Sequence, residues 1–202
     1  MKKWKLIMGI MLVLVGVGLV GYPYYFHWEQ EKEMEELHFA IHAISSGEEL
    51  NDAEISLSIK KQIENGVMRL KIPSIDLNQP VLPETSEESL NLALTQIKAN
   101  QTPGEGNFTI AGHRSTKEGR HFNRLPKVKE GETVILIEGS KEYHYTINNV
   151  ITVKPERVDV LKDVEGQDLI TLVTCTITGA DRIIVQGKLE DIKESKSINT
   201  KL

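Results

Sequence analysis

The chain has 202 residues, 40% of them hydrophobic and 26% charged, with a formal net charge of -5. That length holds one ordinary domain plus accessory segments, and the composition is that of a globular protein rather than a disordered or fibrous one. A negative balance with no clustered basic surface argues against nucleic acid as a partner, because phosphate recognition needs many cations on one face.

At the N-terminus, Lys2, Lys3 and Lys5 precede 21 uncharged residues, Leu6 to Phe26. At roughly 1.5 Å per helical residue such a run just crosses a hydrocarbon core of about 30 Å. It exits through Tyr22, Tyr24, Tyr25, Phe26 and Trp28, an interfacial aromatic belt rather than the small residues of a cleavage site. The expectation is a cytoplasmic basic tail over 1–5 and an uncleaved single-pass transmembrane helix over 6–26. The positive-inside rule then puts everything after Trp28 outside the cell membrane.

Residues 27–65 are acidic and polar. Met34, Leu37, Ile41 and Ile44 fall at helical spacing within them, which fits either a partly helical stalk or a solvated linker.

From Gly66 the period shortens. Met68, Leu70 and Ile72 alternate with Arg69 and Lys71, the pattern of a half-buried strand. Similar runs follow at Asn107 to Gly112, Thr133 to Glu138, Tyr143 to Val153, Leu169 to Cys175 and Arg182 to Glu190, separated by turn signals such as Glu130-Gly131 and Thr178-Gly179. Ser86 to Ala99 reads as the domain's one clear helix, with Leu90, Leu94 and Ile97 on one face behind a Thr85/Ser86 cap. So many short strands predict an all-β domain over 66–192, closed into an antiparallel barrel with one or two short helices and followed by a polar tail over 193–202.

Cys175 is the single cysteine, so no intramolecular disulfide can form. On the oxidising side of a membrane an idle thiol is a liability, which points towards chemistry. A buried, inert sulfur is the alternative. A nucleophilic thiol needs a proton-transfer partner and donors for the oxyanion. Of six histidines, His27, His38 and His42 fall in the stalk, His144 in a strand wall, and His121 in a glycine-flanked loop that reads as flexible. His113 ends a strand just after a glycine that permits close backbone approach. Arg182 opens the strand after Cys175, where a hairpin would return it beside the sulfur; pairing with Asp181 is its bland alternative.

The segment TLVTC (Thr171 to Cys175), the tripeptide AGH (Ala111 to His113) and the arginine opening the next strand, in that order and separation, resemble the sortase signature. The resemblance spans about Val67 to Leu189 and is most like class A; AGHR (Ala111 to Arg114) is also similar to class D, but Thr176-Ile177-Thr178 departs from the stretch that follows the cysteine there. It implies a sortase-like barrel of about eight strands and a cysteine transpeptidase of Gram-positive envelopes. Such an enzyme cuts an LPXTG-like sorting signal between Thr and Gly and passes the thioacyl group to a cell-wall precursor amine such as lipid II or a peptidoglycan cross-bridge. By position, Cys175 would be the nucleophile, His113 the proton-transfer group and Arg182 the holder of the carbonyl or oxyanion. Ala111, Val173, Thr174, Val158, Val160 and Leu161 are similar to substrate-groove positions, with core or loop packing as the other possibility.

Some class A members bind calcium through acids before the AGH strand. Lys98 and Gln101 occupy that stretch here, leaving Glu105, so neither a metal nor a cofactor is carried over. L,D-transpeptidases fit less well, since Thr174 rather than glycine precedes the cysteine and Arg182 lies seven positions on. A surface module with an incidental thiol is the remaining alternative; it predicts that thiol-blocking reagents leave function intact.

Overall fold

Our computed structural model describes residues 66–194 continuously, together with residues 4, 7–22, 24, 25, 28, 32 and 35. Eight strands form the domain: β1 (Met68–Ile72), β2 (Leu77–Leu82), β3 (Leu94–Gln96), β4 (Asn107–Ala111), β5 (Thr133–Glu138), β6 (Lys141–Val153), β7 (Leu169–Cys175) and β8 (Arg182–Glu194). They close in the order β1-β2-β3-β4-β7-β8-β6-β5, which leaves no free edge to template aggregation.

Alternation decides what fills the barrel. Leu70 and Ile72 on β1, Phe108 and Ile110 on β4, Val134 and Leu136 on β5, Leu172 on β7 and Val185 on β8 belong to one core cluster, each fully excluded from solvent. The intervening residues of each strand face the other way.

The barrel is mixed rather than antiparallel. β2 runs parallel to β3, and β4 runs parallel to β7, while the remaining neighbours are antiparallel. Parallel neighbours need a crossover rather than a tight turn. The helix Glu87–Leu92 lies on the first crossover and the β5–β6 hairpin on the second. Side-chain period reports burial and is blind to direction, so the sequence pattern alone could not separate the two arrangements.

The helix expected over Ser86 to Ala99 is shorter, Glu87–Leu92. Ser86 caps it as anticipated, its Oγ accepting from the Ser89 N–H at 3.0 Å. Ala93 then turns extended, and Leu94 leaves the helical face to enter the core as part of β3. Pairing with β2 and β4 outweighs the helical spacing there.

Residues 7–22 form an apolar, solvent-exposed helical run. Among the described residues no helix is long and apolar enough to cross a membrane. The expected span over 6–26 includes positions outside the described residues, as does nearly all of the 27–65 segment. At the other end β8 continues to Glu194, into the stretch expected to be tail.

Candidate active site

The parallel pairing of β4 with β7 brings the C-terminal ends of both strands to one end of the barrel wall. Ala111 lies opposite Val173, and the Gly112 N–H continues the ladder onto the Val173 carbonyl at 3.1 Å. β8 runs antiparallel to β7 and starts at that same end, with Arg182 directly opposite Cys175. Three residues distant in sequence therefore reach one end of three adjacent strands.

They also share a face. Phe108, Ile110, Leu172 and Val185 point into the core, so their alternates, Asn107, Thr109 and Ala111 on β4, Thr171, Val173 and Cys175 on β7, and Arg182, Ile184 and Gln186 on β8, line the outer wall. A Cβ on Gly112 would lie 2.5 Å from Leu94 Cδ2 and 2.7 Å from Phe122 Cδ2. Only glycine fits at that inward position, and His113, one residue on, takes the outward parity of Ala111. His113 is exposed, while Cys175 and Arg182 are half-buried. The site is thus a shallow surface of the wall, not the barrel lumen.

The β7–β8 connection is short and self-bonded. Thr176 N–H donates to Asp181 O at 3.0 Å, Asp181 N–H to Thr176 Oγ1 at 3.2 Å and Gly179 N–H to Thr176 O at 2.9 Å. Gly179 has φ +75°, a left-handed conformation that glycine adopts without steric cost. Arg182 Nη1 donates to the Gly179 and Asp181 carbonyls at 3.0 and 3.3 Å. The Asp181 carboxylate instead takes Lys154 Nζ at 2.7 Å, so the guanidinium keeps its charge free of a carboxylate partner from that neighbour.

The other candidates divide. Ala111 and Val173 are half-buried on the outer face. Val158, 61% exposed, and the half-buried Val160 and Leu161 form a 3-10 turn, Val158–Leu161, between β6 and β7. Thr174 has the opposite parity from Cys175 and is 2% exposed; its hydroxyl donates to the Gly112 carbonyl at 2.8 Å. That bond fixes the backbone ahead of His113. Lys98 Nζ meets Asp163 Oδ1 at 2.8 Å, joining the β3–β4 and β6–β7 connections. Among the described residues no cluster of His, Cys, Asp and Glu could hold a metal ion.

His121, read from sequence as part of a flexible loop, is buried at 3% exposure. Its ring stands edge-on to that of His113, centroids 6.4 Å apart. Arg120 Nε donates to His121 Nε2 at 3.2 Å, and Arg120 Nη2 donates to Asn91 O at 3.2 Å. Burial, reinforced by the Arg120 charge and then by His113, pushes the His121 pKa down to about 4. His121 is therefore a neutral neighbour of His113 near pH 7. In sequence Phe122, next to it and itself fully buried, was the one apolar signal among a glycine and two arginines.

A closed β-barrel whose outer wall presents a lone thiol opposite an arginine, with an imidazole at the same strand ends, defines a class: thiol-dependent acyl-transfer enzymes. Comparison with known proteins narrows it. A family model described as the Sortase domain matches residues 70–190. Sortase A of Bacillus anthracis is 32% identical over 206 residues, covering 94% of this chain and 96% of the relative. The structure of Listeria monocytogenes sortase A superposes with a TM-score of 0.60 at 31% identity, over 64% of this chain and 90% of that one. A Clostridium perfringens sortase D5 transpeptidase gives 0.58 at 30% identity, over 65% and 86%. The chain belongs to the sortase family and is a sortase-type cysteine transpeptidase.

Proposed function

We propose that this transpeptidase cleaves an LPXTG-like sorting signal between Thr and Gly and attaches the protein so released to a cell-wall precursor amine, in the manner of class A. The observation that supports this reading is the pairing of Cys175 with Arg182 at the end of the barrel wall where β4 finishes, two residues before His113.

In the first half-reaction the Cys175 thiolate attacks the Thr carbonyl carbon. Negative charge moves to the carbonyl oxygen, where the Arg182 guanidinium stabilises it. His113 as imidazolium gives its proton to the glycine nitrogen, the C–N bond breaks and a thioester remains. In the second half-reaction the acceptor amine, from lipid II or a peptidoglycan cross-bridge, passes a proton to neutral His113 and attacks the thioester. The C–S bond breaks, a new amide forms and the thiolate returns.

Ala111 and Val173 offer a small-residue floor for an extended peptide, and Val158, Val160 and Leu161 offer apolar contacts for its leading residues. Four residue steps lead from Thr171 to Cys175, roughly 13 Å at 3.3 Å each. An extended peptide with its Thr carbonyl at the sulfur would bring the start of a four-residue motif to the Val158–Leu161 turn. Residues 6–26 would hold the enzyme in the cell membrane as a single pass, N-terminus inside, with 27–65 spacing the catalytic domain outside.

The test is cleavage of a fluorogenic LPXTG peptide by the full chain in detergent micelles, with hydroxylamine as substitute amine. Cleavage and hydroxamate formation are expected, and both should vanish in Cys175→Ala. A fully active Cys175→Ala protein would overturn the mechanism. For the anchor, the full chain should sediment with membranes and resist alkaline extraction; recovery in the soluble fraction would contradict it.

A further inference from the structure

At the opposite end of the outer face from Cys175, three polar side chains close a ring of hydrogen bonds around one carbonyl. Asn107 on β4 donates from Nδ2 to Val160 O at 3.1 Å and to Lys162 O at 3.0 Å. Gln186 on β8 donates from Nε2 to the same Val160 O at 3.1 Å and to Thr171 Oγ1 at 3.1 Å. Thr171 on β7 completes the circuit, its hydroxyl donating to Asn107 Oδ1 at 2.7 Å. Asn149 Nδ2 on β6 donates to Gln186 Oε1 at 3.3 Å.

Asn107 and Thr171 are 1% and 0% exposed. Buried polar groups persist where their partners satisfy them, and each of these three is bonded at least twice. A strand wall that needed only to pack could hold apolar residues here, as it does at Val173 and Ile184 further along the same face. Outside the ring, the donors of Asn107 and Gln186 go to the backbone of the β6–β7 connection, while Gln186 Oε1 accepts from Asn149 on β6. A second tie acts beside it: the Asn107 N–H donates to Asp163 Oδ1 at 2.9 Å.

We propose that Asn107, Thr171 and Gln186 are positioning residues for substrate recognition: they lock the Val158–Leu161 turn to the wall at the distance where the leading residues of a bound peptide arrive. The inference rests on the proposed placement of the sorting signal along this face. The ring touches neither the sulfur nor the guanidinium, so its loss acts on peptide binding and not on bond breaking. A uniform binding contribution of this kind appears in KM with kcat unchanged.

The experiment uses the full chain in detergent micelles with three readouts: KM and kcat for a fluorogenic LPXTG peptide, amide hydrogen exchange over residues 158–162, and the rate of Cys175 alkylation by iodoacetamide. Gln186→Met keeps the length of the side chain and removes both donors; Thr171→Val opens the ring while keeping its shape. Each should raise KM by about tenfold, leave kcat within about twofold, speed exchange over 158–162 and leave alkylation unchanged. Thr171→Ser, which retains the hydroxyl, should restore the wild-type KM. Asn107→Leu should show the largest rise in KM; if it does not fold, the other two variants decide.

Unchanged exchange over 158–162 in Gln186→Met and Thr171→Val would overturn the lock. Faster exchange with an unchanged KM, or a loss confined to kcat, would overturn its role in recognition. A wild-type chain that exchanges slowly over 158–162 but cleaves no LPXTG peptide would instead refute the substrate reading, and with it the part of the inference that depends on it.

Discussion

The inner and outer faces of β4, β7 and β8 are built from alternate residues of the same strands, yet they do different work. The inner face places Phe108, Ile110, Leu172 and Val185 in the apolar core, each closed to solvent. The outer face holds Ala111, Val173 and Ile184 between a charged end at Cys175 and Arg182 and a hydrogen-bonded end at Asn107, Thr171 and Gln186. The proposed chemistry and the apolar core therefore sit one residue apart along each strand. Substitutions at Cys175, His113 and Arg182 should cost activity at little cost in folding, and inner-face substitutions the reverse.

The largest expected departure is Cys175→Ala, with no detectable peptide cleavage and a thermal midpoint close to wild type. A large drop in the midpoint would mean that the sulfur also packs the wall. His113→Ala and Arg182→Ala should follow. Loss of a proton-transfer group lowers turnover by about 10²–10⁴-fold, and loss of an oxyanion donor by about 10²–10³-fold. Single-turnover kinetics should locate both losses in the chemical steps, and near-normal turnover in either variant would remove that residue from the mechanism.

On the inner face, Leu172→Ala should destabilise by about 2–5 kcal/mol in urea titration through lost burial and a cavity. A cost below about 1 kcal/mol would show that the inner face is not the stabilising one. The smallest effect concerns His121, which spans the two faces by lying buried beside an exposed imidazole. Its folded pKa is depressed to about 4 from an unfolded value of 6.5. The unfolded chain therefore binds the proton first as pH falls, and stability contributed by the neutral ring is progressively lost between about pH 6.5 and 4. The limit is on the order of 3 kcal/mol. Replacing His121 by Phe should flatten this part of the pH–stability curve; an unchanged slope would assign acid lability elsewhere.

Much of this architecture was legible in the sequence, for identifiable reasons. Met68–Ile72, Thr133–Glu138 and Leu169–Cys175 have the bounds that alternation or an unbroken apolar run assigned. β2 escaped notice because Pro80 interrupts it, and β3 because its three residues sit behind a helix whose spacing they mimic. Strand direction was invisible, yet the parallel β4–β7 pairing is what aligns Ala111 and the residues beyond it with Val173. The types and order of Cys175, His113 and Arg182 carried the resemblance, while their common face required the register. Asn107, Thr171 and Gln186 fall within predicted strands, and nothing in their local pattern singles them out. Their pairing with the Val160 backbone depends on a loop that folds back from 26 residues before Gln186, and local pattern carries no trace of it. His121, read as part of a flexible loop, is buried with its neighbour Phe122 by tertiary contact.

The central claim is a thioacyl bond on Cys175, and intact mass spectrometry of the full chain mixed with an LPXTG peptide tests it most directly. The predicted result is an added mass equal to the fragment ending at Thr, mapped to Cys175, released by hydroxylamine and absent from Cys175→Ala. Peptide cleavage with no adduct at any time point under rapid acid quench, or an adduct on another residue, would contradict it.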